Sequence, residues 1–235
     1  MVRAEAASKP PRPAGRDARA LGLAAIAAAW LVYLSDLAIG IFDMFGDAFW
    51  VHLPELAPWR VSAAAFALFL FPLLAAGALL LRPGLRAGWL CATMAYLFCT
   101  VCVFLHSSYF FFARTAVRLS EARDEAERAA LTRLLAEYSG FKDLFGAIYL
   151  GLALFVSLSV LVLVLLGRTA YPRWFAAVTP LTGVPLSLLA RAAGPEAQEA
   201  LRPVTIPAFW LALMFTLYLL VLLFPRSRTR PAAAA

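Results

Sequence analysis

Apolar residues fall along this chain in long unbroken runs, separated by short segments that carry Pro, Gly and Arg. A run of about 20 apolar residues, rising about 1.5 Å per residue as an α-helix, crosses a hydrocarbon core of about 30 Å. Six runs meet or approach that length, at residues 20–42, 61–81, 87–113, 141–167, 174–190 and 204–224. All are too long for the roughly 10-residue strands of a transmembrane barrel, and only closed backbone hydrogen bonding survives in lipid. The expected fold class is therefore all-α, a polytopic transmembrane helical bundle with six spans. No inverted repeat and no separate soluble domain is expected.

The segments between the runs have their own character. Arg82-Pro83-Gly84-Leu85-Arg86 reads as a tight turn. Residues 118–138 are rich in Ala, Glu, Arg and Leu, with Arg123 and Glu127, Asp124 and Arg128, and Arg133 and Glu137 at i,i+4 spacing, so a charged extramembrane helix is expected there, as a continuation of the third apolar run. Residues 1–19 hold Pro10, Pro11, Pro13 and Gly15 with little apolar surface, the pattern of a disordered basic tail, and 226–235 form a second basic tail. A basic stretch ahead of the first run also suits a signal peptide. The length of that run, Asp36 near its end and the lack of a small-x-small cleavage site favour an uncleaved helix.

Composition narrows the class further. Of 235 residues 63% are hydrophobic and 15% charged, against about 45–50% and about 25% in soluble domains. That excess excludes a soluble enzyme, a nucleic-acid module and a disordered chain, although the net charge is +7. Six spans put both termini on one side, and that side collects twelve basic residues against only Glu5 and Asp17. The positive-inside rule then makes both termini cytoplasmic. Nearly all the basic residues are Arg, with only Lys9 and Lys142 as lysines, and Ala is abundant, a bias typical of a high-GC bacterial genome and so of an inner-membrane location.

Two ionisable residues lie inside the runs, Asp36 and His106. Each costs about 2.5–3.5 kcal/mol at a helix centre on insertion scales, so each is a functional candidate. Counted from the cytoplasmic ends of their helices, they sit about 24 and about 28 Å deep, at one level in the outer half of the membrane. An Asp facing a His can hold the imidazole in one tautomer for proton relay, base chemistry or ligand binding. The bland alternative is a hydrogen-bonded cross-link between helices, with Ser35 taking part. Ser107 and Tyr109 flank His106 and join it as ligand-binding candidates.

Other motifs carry less. Asp43, Asp47, His52 and Glu55 crowd the first outer loop and offer divalent-cation ligands, yet their spacing matches no metal motif. The aromatic residues around them read as an interfacial belt. Tyr171, Arg173 and Trp174, around Pro172, suit a lipid-headgroup level on the cytoplasmic side. Pro180, Gly183, Pro185 and Pro207 break the helical ladder in the last two spans. Cys91, Cys99 and Cys102 lie in one apolar run and read as packing residues. There is no GxSxG, P-loop, GxGxxG or HExxH, and no cofactor is expected.

Three stretches carry a resemblance: Leu34-Ser35-Asp36-Leu37, Leu105-His106-Ser107-Ser108-Tyr109, and Thr169-Ala170-Tyr171-Pro172-Arg173-Trp174 followed by Pro180. The chain resembles a family of bacterial six-span membrane proteins, a domain of unknown function, with an acid late in helix 1, a Tyr-His pair in helix 3 and a Leu-Tyr-Pro-Arg-Trp segment before helix 5. Ser35 replaces the usual glycine, and Leu105 the usual tyrosine. The resemblance implies a fold and candidate positions and no activity. Together these readings point to an integral membrane protein that binds or moves a small or lipid-like ligand in an outward-facing polar pocket. The alternatives are an intramembrane hydrolase using the Asp/His pair, and a scaffold subunit docking a partner through residues 118–138. The expected partners are the bilayer and that ligand, with no nucleic acid.

Overall fold

The computed structural model describes residues 15–39, 67–81, 84 and 89–224. Within them the chain is helical and holds no strand. Among the described residues seven α-helices run in order: α1 (Arg16–Ile39), α2 (Phe71–Leu80), α3 (Trp89–Glu121), α4 (Glu125–Leu165), α5 (Gly183–Ala193), α6 (Pro195–Thr205) and α7 (Pro207–Leu223). A 3-10 turn at Ala67–Leu70 leads into α2, and two more, Arg173–Ala177 and Pro180–Thr182, precede α5. Among the described residues four stretches are long and apolar enough to cross a membrane: Arg16–Ala38, Trp89–Ser108, Glu125–Leu165 and Pro195–Leu223.

The helices pack antiparallel through small residues and rings. Ala25 of α1 faces Gly77 of α2, where an added methyl would come within 2.5 Å of the Ala25 side chain and 2.9 Å of Phe215. Such small-on-small faces let backbones approach where lipid removes the hydrophobic drive for association. α1 meets α7 from Gly22 beside Leu223 at one end to Tyr33 beside Phe209 toward the other, with Trp30 Nε1 donating to Thr216 Oγ1 at 2.9 Å between them. One end of the bundle thus holds the start of α1 and the finish of α7, and is called the terminal end below.

The longest departures from the sequence-based expectation are in α3 and α4. Residues 118–138 are divided between two helices: α3 runs on through Glu121, and the rest begins α4, one helix of 41 residues that continues into the next apolar run. At about 1.5 Å per residue α4 is about 61 Å long, twice a hydrocarbon core. Phe98 with Tyr149, Phe104 with Phe145 and Phe111 with Tyr138 hold the two helices together, and Arg118 lies 3.5 Å from Glu127 near the tip. The hairpin turns at Asp124, whose carboxylate accepts from the Glu127 backbone N–H at 2.7 Å as an N-cap. With no Pro between 125 and 165, nothing stops the strong helix formers of the charged segment from extending the apolar run.

Residues 174–190, expected as one helix, instead form the two 3-10 turns and the first part of α5. Pro172, Pro180 and Pro185 remove backbone donors, and Val178 and Thr179 take non-helical dihedrals. Side chains hold carbonyls of the broken segment: Thr182 donates to Ala177 O at 2.8 Å, and Tyr218 donates at 2.8 Å to Phe175 O, which also accepts the Val178 N–H at 2.9 Å. The run at 204–224 is also split, because Ile206 is extended between α6 and α7. The described part of the second run is 67–81. Residues 1–14, 40–66 and 225–235, which include both tails, the first outer loop and the start of the second run, lie outside the described residues.

Candidate functional site

Asp36 sits in the last full turn of α1 and His106 in the middle of α3, far from the terminal end. The bundle brings them together. His106 Nε2 lies 3.5 Å from Asp36 Oδ1, and the two residues are only 5% and 7% exposed. Phe71, the first residue of α2, packs its ring edge-on to the imidazole with centroids 4.7 Å apart. Three helices therefore meet at the pair, and the turn at Ala67–Leu70 covers α2 beside it.

A separation of 3.5 Å is wider than the 2.7–2.9 Å of a charge-assisted hydrogen bond. Asp36 Oδ1 accepts no hydrogen bond from any described group, and neither does the buried Ser35 hydroxyl beside it make one. The site thus offers an unused acceptor on a buried carboxyl, an imidazole in reach of it, and an aromatic wall. Such a pair can share a proton, or accept one hydrogen-bond donor between its two members.

The neighbouring serines are already engaged. Ser107 Oγ donates to Phe104 O at 2.8 Å and Ser108 Oγ to Leu105 O at 2.6 Å, each bonding back one turn along α3. Neither hydroxyl is presented to His106 as a nucleophile. Tyr109 belongs to α3, and its side chain lies outside the described residues. Asp43, Asp47, His52 and Glu55 lie outside them as well. Among the described residues no group of three or more His, Cys, Asp or Glu is placed to hold a metal ion.

The Tyr171 to Trp174 segment divides in two. Arg173 and Trp174 are exposed at the terminal end. Tyr171 is buried: its ring lies 4.3 Å from that of Tyr218 and 5.7 Å from that of Phe175, and its hydroxyl fills the space over Gly84. Ala170 N–H donates to Gly84 O at 2.8 Å, so this segment holds Gly84, which lies between α2 and α3 in the chain.

A family of unknown function (DUF6796) matches residues 16–224. The chain belongs to this family. The match spans every described helix, from the first residue of α1 to the end of α7, and so includes Asp36, His106 and the Tyr171 segment. No curated protein and no solved structure matches the chain.

Sequence reasoning missed Phe71, Tyr218 and Thr216. Tyr218 and Thr216 are polar groups inside an otherwise apolar run, and the cost of burying an unpaired hydroxyl in lipid was the available signal. Phe71 carried no signal, being one Phe in a run that also contains Phe66 and Phe69.

Proposed function

We propose that this protein is a multi-pass membrane protein that binds or moves a small or lipid-like ligand, with Asp36 and His106 as its polar contacts. The observation that supports this reading is the buried 3.5 Å pair with a carboxylate oxygen left unpaired. A bundle built only for stability has little use for it: an intramembrane acid is expensive, and an unpaired acceptor adds to that cost. A ligand that donates a hydrogen bond or carries positive charge would satisfy Oδ1, while His106 can take up or give the compensating proton.

In this reading the chain crosses the membrane six times: by α1, by α2 with the residues preceding it, by α3, by α4, by the broken segment leading to α5, and by α7. The terminal end faces the cytoplasm, in keeping with the basic residues gathered there. The protein resides in a bacterial inner membrane, and the pair opens toward the outer side. Arg173 and Trp174, exposed side by side at the terminal end, suit lipid headgroups.

The test is native mass spectrometry of the protein released from bilayer nanodiscs. Wild type is expected to retain a bound small molecule or lipid that Asp36→Asn and His106→Gln both lose while keeping the wild-type melting profile. Equal retention by all three proteins would overturn the reading. A second reading, a scaffold that docks a partner, is favoured by the α3–α4 hairpin, which continues beyond the level of His106 by about 15 residues, or about 22 Å. Removing residues 115–134 would then abolish complex formation while Asp36→Asn left it intact.

A further inference from the structure

The arginines of the terminal end are not alike. Arg168 and Arg173 are exposed, whereas Arg19 of α1 is half-buried with its guanidinium over the ring of Phe224, 5.6 Å from the centroid. That is within the range of a cation–π contact. The Arg19 Nε is shut off from solvent and has no acceptor. Among the described residues Arg19 takes part in no ion pair and no side-chain hydrogen bond, and the same holds for Arg16, its neighbour at i,i+3, and for Asp17. Two like charges therefore share one side of α1 with no counter-charge from the described protein.

Their place matters as much as the lack of a partner. Arg19 directly precedes the first apolar run and Phe224 ends the last one, so both stand where hydrocarbon gives way to headgroups. One turn further into α1, a methyl on Gly22 would come within 2.5 Å of the Leu223 side chain, so the Arg19–Phe224 contact closes the tight seam between the first and last helices. Phosphate oxygens are the acceptors at that level, and a guanidinium meets them edge-on with two parallel donors, which a ring stacked on its face leaves free. A zwitterionic lipid would bring its own cation toward Arg16 and Arg19. An anionic lipid brings none.

We propose that Arg19, backed by the Phe224 ring, binds the phosphodiester of an anionic lipid, with Arg16 adding charge, and that this lipid holds α1 to α7 at the terminal end. Asp36 lies 17 residues further along α1, about 25 Å away, so the site is separate from the Asp36–His106 pair and does not depend on the ligand reading of that pair.

The test releases the full chain from nanodiscs that hold phosphatidylcholine and phosphatidylglycerol in equal parts and reads the retained lipid by native mass spectrometry. Wild type and Arg168→Gln, which loses the same charge from the same end, are expected to retain phosphatidylglycerol over phosphatidylcholine by at least about tenfold, and Arg19→Gln to lose that preference. Phe224→Leu keeps the charge and removes its backing, so it is expected to lose part of the preference, and it carries the test should Arg19→Gln not fold. Thermal melting separates the two sources of phosphate. Phosphatidylglycerol is expected to raise the midpoint of wild type and leave that of Arg19→Gln unchanged, while inorganic phosphate added to phosphatidylcholine nanodiscs raises neither. Equal retention of the two lipids by wild type, an undiminished preference in Arg19→Gln or Phe224→Leu, an equal loss in Arg168→Gln, or a rise with inorganic phosphate as large as that with phosphatidylglycerol overturns the proposal.

Discussion

Tyr218 of α7 donates its hydroxyl hydrogen to the carbonyl of Phe175 at 2.8 Å, bridging 43 residues of chain. The same carbonyl accepts the Val178 backbone N–H at 2.9 Å, so it closes the 3-10 turn at Arg173–Ala177 and ties that turn to α7 at once, and the ring of Tyr218 is wholly buried. Tyr218→Phe keeps the ring and leaves the carbonyl its backbone partner, so a loss of about 0.5–1.5 kcal/mol, the net worth of one hydrogen bond, is expected. Reversible unfolding in mixed micelles measures it, and an unchanged midpoint would mean that the bond adds nothing to the hold of α7 on the turn.

Gly77 and Gly146 make a matched pair. A methyl on Gly77 collides with Ala25 and Phe215, while a methyl on Gly146, in α4, meets nothing within 4 Å. Gly77→Ala is expected to cost about 1–3 kcal/mol by forcing α1 and α2 apart. Gly146→Ala is expected to be neutral or to stabilise by up to about 1 kcal/mol, through lost chain entropy alone. Two melting curves suffice, and equal shifts would show that the α1–α2 approach is looser than described.

Tyr171 sets an alkaline limit. Its folded-state value is raised above that of the unfolded chain, so its contribution is fully present below about pH 10 and is lost as pH rises beyond that, once the unfolded state releases the proton and the folded state does not. Stability should fall above about pH 10 in wild type and less steeply in Tyr171→Phe. Parallel pH profiles of the two proteins would place the effect elsewhere.

How much of this was legible in the sequence depends on the kind of signal. The long apolar runs declare helices in lipid because hydrophobicity over about 20 residues has few other meanings, and α1, α3, α4 and α7 lie where such runs fall. Asp36 and His106 stood out because charge is rare there, and depth counting placed them at one level. Two features escaped. The fusion of residues 125–138 with the following apolar run into α4 follows from the absence of any Pro, a weaker cue than the change from charged to apolar residues. The broken crossing after Tyr171 follows from prolines that were visible as kinks, yet the backbone's repair depends on Tyr218 and Thr182, whose partnership no local pattern reports.

The most direct test of the Asp36–His106 unit uses the scarcity of histidine. The chain has two, His52 and His106, so His52→Gln leaves His106 as the sole imidazole. With ring nitrogens labelled by ¹⁵N and the protein in bilayers, the His106 signals are followed across pH with Asp36 intact and in Asp36→Asn. If the pair acts as one unit, the two titrations differ in midpoint or shape, because each protonation state of one member changes the field at the other. Superimposable titrations would contradict the pairing and reduce both residues to separate packing positions.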